Sequence, residues 1–335
     1  MLQNIQALRA LAALMVVGHH LGGSIVNSRF SNDIFYIGAS GVDIFFVISG
    51  FIMVHSISMK PVGPQTFFKK RLIRVAPLYW MITLALGLSA LSMPQLFRSV
   101  SAEPIDIIKS IAFLPYKNNL GSTTPILHVG WTLNYEMFFY VVFAVTLFMN
   151  YSIKFTVLIS STFILLLAIL GSFTNFSNPI ITFYTNNILI EFIFGMIIGL
   201  IHGRIILLKN YISFAIVTLG FAGLLVSNNV LFGLPRFLVW GIPAFLIVIG
   251  SLSLEAKGFI AKHGFIQKLG ASSYALYLIH PLILAILVRV LAKINSAPMV
   301  AFIAIVFLII TIYAALLINR YVEIPLSKIL SKKSL

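Results

Sequence analysis

An all-α, polytopic integral membrane protein of about ten helices is the fold this sequence predicts, on three observations. The 335 residues are 60% hydrophobic, with a mean hydropathy of +1.04. Only 9% are charged, against about 25% in a soluble domain, so a globule of this size would have no polar coat. Apolar stretches long enough to cross a bilayer, roughly 20 residues each, recur along the whole chain. A soluble, disordered, collagenous or coiled-coil chain is excluded by the same figures.

The stretches fall near residues 5 to 25, 35 to 58, 75 to 97, 130 to 149, 152 to 174, 182 to 203, 211 to 227, 235 to 252, 271 to 293 and 298 to 319. The first carries Arg9, His19 and His20 and has no clear small-residue cleavage site, so it reads as a retained helix rather than a signal peptide. Gly, Asn and Pro interrupt the edges of the sixth and seventh. A cytoplasmic N-terminus places 16 of the 23 Lys and Arg inside and 7 outside, Arg98, Arg236 and Lys333 being among those counted. Both termini are therefore expected in the cytoplasm, and the net charge of +15 is explained by loops facing anionic lipid rather than by nucleic acid. Residues 1–335 read as one transmembrane domain, with no soluble domain appended. The stretch 98 to 128 is the one sizeable external loop. No internal repeat is evident, which disfavours an inverted-repeat transporter.

Cysteine is absent, so any catalysis must use His, carboxylate, hydroxyl or amine groups. Ionisable groups inside spans cost about 2.5–3.5 kcal/mol each on insertion scales, which marks them as functional candidates. His20, Asp43, Glu136 and His280 come from four spans at similar expected depth. Arg9 and His20 stand eleven residues apart, about 16 Å along one helix face, which sets Arg9 near the cytoplasmic mouth and His20 near mid-membrane. His19 points about 100° away from His20 and reads as packing. The four candidates are acceptable metal ligands in type, but no close-spaced ligand pair occurs, so no metal is expected. In KKRLIRVAPLYW, Arg71 and Arg74 lie three apart, on one face if the third helix already runs there, and arginine suits bidentate phosphate recognition. Lys60, Lys69 and Lys70 read as lipid-facing charge.

LRALAALMVVGHH, GVDIFFVISGFIM, FFKKRLIRVAPLYW, WTLNYEMFFY and SYALYLIHP follow one another over residues 8 to 281. In this order they resemble the motifs of the acyltransferase family 3 membrane proteins. The resemblance implies transfer of an acyl group, usually acetyl, from cytoplasmic acetyl-CoA to a hydroxyl of a surface glycan such as lipopolysaccharide O-antigen, exopolysaccharide or a lipid-linked sugar. It implies His20 as the catalytic histidine with Arg9 as its partner, and Glu136 also occupies a motif position; Asp43 joins the catalytic set on its buried charge alone. Arg71, Arg74 and Tyr79 fall to the acyl donor, and Trp131 and His280 to the acceptor. It further implies the stand-alone type without an esterase-like domain, in a bacterial inner membrane. The doubled histidine leaves His19 as an alternative to His20. A neutral His20 could act as general base, with Asp43 or Glu136 orienting it, or as an acyl-carrying nucleophile. A transporter or flippase of a glycolipid or small anion is the competing class, and a membrane glycosyltransferase a third.

Overall fold

The computed structural model describes residues 2–29, 35–95, 97, 100, 103–118, 121–149, 152–174, 176–230, 233–294 and 296–332. Arg98 and Lys333, part of the charge tally, lie outside them. In chain order the helices are α1 (Gln3–Arg29), α2 (Gly41–Met59), α3 (Pro64–Ser92), α4 (Pro104–Ile111), α5 (Trp131–Phe148), α6 (Ile153–Phe173), α7 (Pro179–Tyr184), α8 (Ile190–Ile205), α9 (Asn210–Val230), α10 (Ile242–Ala256), α11 (Gly264–Ala271), α12 (Ser273–Leu291), α13 (Ala297–Ile318) and α14 (Ile324–Lys332). No strand occurs among the described residues. Among the described residues nine segments are long and apolar enough to cross a membrane, and Asn210–Val226 is a tenth, shorter apolar helix. The protein is thus an all-α integral membrane protein.

Three local differences from the sequence expectation have physical causes. The third span begins at Pro64 rather than near 75. Gly63 is extended and Pro64 takes the first helical position, where its fixed φ suits the turn and its missing N–H costs nothing. The basic run therefore lies on α3 itself, where hydropathy alone hides it. The sixth span is broken at Thr185 into α7 and α8, because Asn178 caps α7 and Asn186 accepts from the Ile188 N–H at 2.9 Å to start a new turn. The stretch from 98 to 128 contains α4.

The chain forms two compact units, Met1–Ile52 with Phe194–Arg320, and Met53–Ile193 with Tyr321–Leu335. In the first, α1 packs against α10, α11, α12 and the 3-10 turn Tyr36–Ser40. Ile5, Leu8 and Ala12 meet Ile44, Val47 and Phe51 in its core. Glycines allow the close approach. A methyl at Gly38 would lie 2.2 Å from the Met15 carbonyl oxygen, one at Gly41 2.3 Å from Ala12 O, and one at Gly270 2.1 Å from Gln6 O.

The start of α1 is clamped. The Glu255 carboxylate at the end of α10 accepts the backbone N–H groups of Gln3 at 2.6 Å and Asn4 at 2.9 Å, satisfying two donors that a helix start leaves open, with charge that suits the helix dipole. The Asn4 side chain donates to Ser251 O and Phe259 O and accepts from the Ala261 N–H.

In the second unit, α3 packs on α4, α5 and α14, and α5 on α6. Two α3 side chains hold α4 in place. The Tyr79 hydroxyl donates to Ser110 O at 3.2 Å, and Trp80 Nε1 donates to Ile111 O at 2.8 Å. Ser110 Oγ in turn accepts the Ile126 N–H and bonds the Tyr116 hydroxyl, and burial pushes that phenol above its ordinary pKa.

Candidate active site

His20 lies on α1, seventeen residues beyond Gln3, which is about 26 Å along the axis. It therefore stands well past the middle of the Gln3–Ile25 span, towards the end where Tyr36 opens the next span. The expected mid-span position shifts towards that end of the helix accordingly.

His280 of α12 meets it. His280 Nε2 is 3.3 Å from His20 Nδ1, with ring centroids 5.0 Å apart. Protons on the two rings follow from the hydrogen-bond network. His280 Nδ1 is 3.2 Å from Leu276 O, and a carbonyl only accepts, so His280 carries its proton on Nδ1 and offers a lone pair on Nε2. His20 Nδ1 faces that lone pair and also Val16 O at 2.9 Å, so its proton sits there too. A neutral His20 in this tautomer has its basic lone pair on Nε2. Among intramembrane groups this is an arrangement for accepting a proton at one defined atom.

Asp43, expected to orient His20, is instead committed to Arg236. Arg236 Nε donates to Oδ1 at 3.0 Å and Nη2 donates to Oδ2 at 2.7 Å, while Nη2 also reaches Ala39 O at 3.2 Å. Asp43 is fully buried and Arg236 is 28% exposed. The guanidinium lies over the Trp240 ring, 4.5 Å from its centroid. Arg236 sits at the start of a π-helical turn, Phe237–Gly241, that opens the Phe237–Ala256 span. The sequence analysis counts this arginine only among the seven outside charges. The signal that could have found it is its spacing of four from Trp240, beside a span that needed a partner for Asp43.

Arg9 is buried and donates through Nη1 to Gln6 Oε1 at 2.8 Å. His19 Nδ1 faces Phe35 O at 3.2 Å, and its ring lies 6.0 Å from Tyr36, so it helps hold the Tyr36 turn on α1.

The second unit brings a different set together. Arg71 Nη2 donates to Ser56 Oγ at 2.9 Å, and its guanidinium lies near the Phe67 and Tyr140 rings, 5.4 and 5.8 Å from their centroids. The Tyr140 hydroxyl donates to Glu136 Oε1. Arg74 is exposed, so the two arginines of the motif differ in setting despite sharing a helix face. Tyr79 is fully buried, stacked on Phe113 at 5.0 Å. Trp131 begins α5 and meets Tyr135 edge-on at 5.9 Å. Asn134, on the same helix, is fully buried with no hydrogen-bond partner for its amide among the described residues. No group of three or more His, Asp or Glu that could hold a metal occurs among the described residues.

Apolar helices that bring two histidines into contact define an integral membrane protein with a pair of imidazoles inside its spans. Residues 2–319 match the family model described as "Acyltransferase domain". The chain belongs to acyltransferase family 3, and it is a membrane acyltransferase. It is 38% identical over 259 residues to the exopolysaccharide production protein ExoZ of Rhizobium meliloti (strain 1021), covering 76% of this chain and 79% of that protein. It is 24% identical to the O-acetyltransferase OatA of Staphylococcus aureus (strain NCTC 8325 / PS 47), covering 98% of this chain but 57% of OatA. No solved structure matches.

Proposed function

We propose that this protein is an O-acetyltransferase of the bacterial inner membrane that moves an acetyl group from acetyl-CoA to a sugar hydroxyl of a surface polysaccharide or lipid-linked glycan. The observation that carries the reading is the His20–His280 contact, which supports a proton-accepting role for the histidine that the motif resemblance implies. The name of ExoZ supports a polysaccharide acceptor, and that of OatA supports O-acetyl transfer.

In this reading His20 Nε2 takes the proton of the attacking sugar hydroxyl as its oxygen bonds to the thioester carbonyl carbon. The carbon–sulfur bond then breaks, and His20 returns the proton to the departing CoA thiolate. His280 accepts from His20 Nδ1–H and so stabilises the imidazolium that forms between the two transfers. Arg9 supports the same helix at its donor-facing end. Arg71 and Arg74 serve the phosphates of the donor. Glu136 acts through Tyr140, whose ring packs on Arg71, and Tyr79 holds α4 against the helix that carries both arginines. Trp131 serves the acceptor.

The test is transfer of radiolabelled acetyl from acetyl-CoA to de-O-acetylated host polysaccharide by the purified protein in vesicles. Labelled glycan is expected. Glycan movement across the vesicle wall with no acetyl transfer would support the transporter class instead. Arg71→Lys keeps the charge but loses the planar fork and its contacts with the Phe67 and Tyr140 rings, so it is expected to raise KM for acetyl-CoA several-fold. Lys60→Gln, at an exposed lysine of the same basic stretch, is expected to leave KM unchanged. Equal effects of the two changes would assign the arginine to lipid rather than to the donor.

A further inference from the structure

Arg71 and Glu136 carry opposite charges within the second unit, and they are not paired. The Glu136 carboxylate acts electrostatically on the Arg71 guanidinium, yet no hydrogen bond or ion pair joins the two among the described residues. Tyr140 touches both. Its hydroxyl donates to Glu136 Oε1, and its ring centroid lies 5.8 Å from the guanidinium carbon. Resting on the donor assignment above, we propose that Tyr140 is a positioning residue that occupies the Glu136 carboxylate and so keeps Arg71 open for a phosphate of the donor.

Three observations carry the proposal. The first is where the bond forms. Glu136 and Tyr140 stand four apart on α5, neighbours on one helix face, so α5 alone can hold the carboxylate without help from α3. The second is the state of Arg71. Ser56 Oγ, a neutral acceptor, takes one N–H of Nη2, and the other N–H donors have no protein partner among the described residues. These donors are reachable rather than sealed in the packing. A charge inside a span is costly, so a chain selected for stability alone would close the pair with the acid at hand. The third is the chemistry of the keeper. A phenol is a neutral donor, so it satisfies a carboxylate oxygen without adding a second cation beside Arg71. The guanidinium meanwhile stays supported by the Phe67 and Tyr140 rings, its planar fork intact for an anion.

The rival role for the Tyr140–Glu136 bond is to stiffen α5. Losing a bond of that kind lowers stability and leaves donor affinity alone. Nor would removing the Glu136 charge repair the loss.

The experiment measures equilibrium binding of radiolabelled acetyl-CoA to the full chain in nanodiscs, steady-state kinetics of the same preparations, and the midpoint of their thermal unfolding. Tyr140→Phe keeps the ring and its contacts with Phe67 and Arg71, so the packing of α3 on α5 is retained. Without the hydroxyl, Glu136 is expected to close on Arg71. A guanidinium paired in about nine-tenths of the molecules raises Kd and KM for acetyl-CoA about tenfold, with kcat little changed. Adding Glu136→Gln removes the competing charge, so the double variant Tyr140→Phe/Glu136→Gln should return Kd towards the wild-type value. The proposal is overturned if Tyr140→Phe leaves Kd unchanged, if it lowers only the unfolding midpoint, or if the double variant binds as weakly as the single one. Normal wild-type binding alongside any of those results removes the role of Tyr140 alone. A wild-type protein that binds no acetyl-CoA removes the donor reading and this role with it.

Discussion

Replacing His20 with asparagine is expected to lower the acetyl-transfer rate by about 10²–10⁴-fold, the usual contribution of a positioned general base, while the protein still reaches the membrane at its normal level. Asparagine is polar and of similar length, so α1 keeps its packing, but it has no group that takes up a proton near neutral pH. His19→Asn should retain most activity, since the His19 contacts with Phe35 and Tyr36 hold a turn rather than move a proton. His280→Asn should fall between the two, because His20 then keeps its bond to Val16 O but loses the acceptor that stabilises its charged form. Transfer assays in vesicles, normalised to protein abundance, read all three. Full activity of the His20 variant at normal abundance would remove it from the mechanism.

The largest expected effect on stability is at Asp43. Its side chain is fully buried and both of its oxygens bind Arg236, so Asp43→Ala strands a guanidinium and should cost about 3–5 kcal/mol. Arg236→Met strands the carboxylate and should cost a similar amount. The double variant Asp43→Leu/Arg236→Met removes both charges and should recover most of the loss, since an apolar pair of similar volume also fills the space. The midpoint of thermal unfolding in detergent measures each. If the double variant is as unstable as the sum of the singles, the two residues are not acting as a pair.

The membrane spans were legible because a long apolar run needs no tertiary information to announce itself. The start of α3 was hidden for the opposite reason. KKRLIR looks like a loop to a hydropathy window, although Gly63–Pro64 is a helix-start signal that a closer local reading would have used. His20 and His280 were both marked by the cost of placing an imidazole in lipid, but their contact joins residues 260 apart and no local rule pairs them. Asp43 shows the same limit more sharply. Its need for a partner was evident from sequence, and the partner was counted only as one more outside charge at the edge of another span, 193 residues away. Type and depth are local properties of a helix. Which groups face one another is decided by packing.

The Glu255 clamp on the first turn of α1 makes that helix a ruler. With Gln3 and Asn4 pinned to the end of α10, every residue along α1 has a fixed height and bearing, and His20 is read off sixteen steps from Asn4, about 24 Å away. One residue inserted between them would advance the histidine by 1.5 Å and swing it by 100°, away from His280. The interval between Arg9 and His20 is in this sense a length standard.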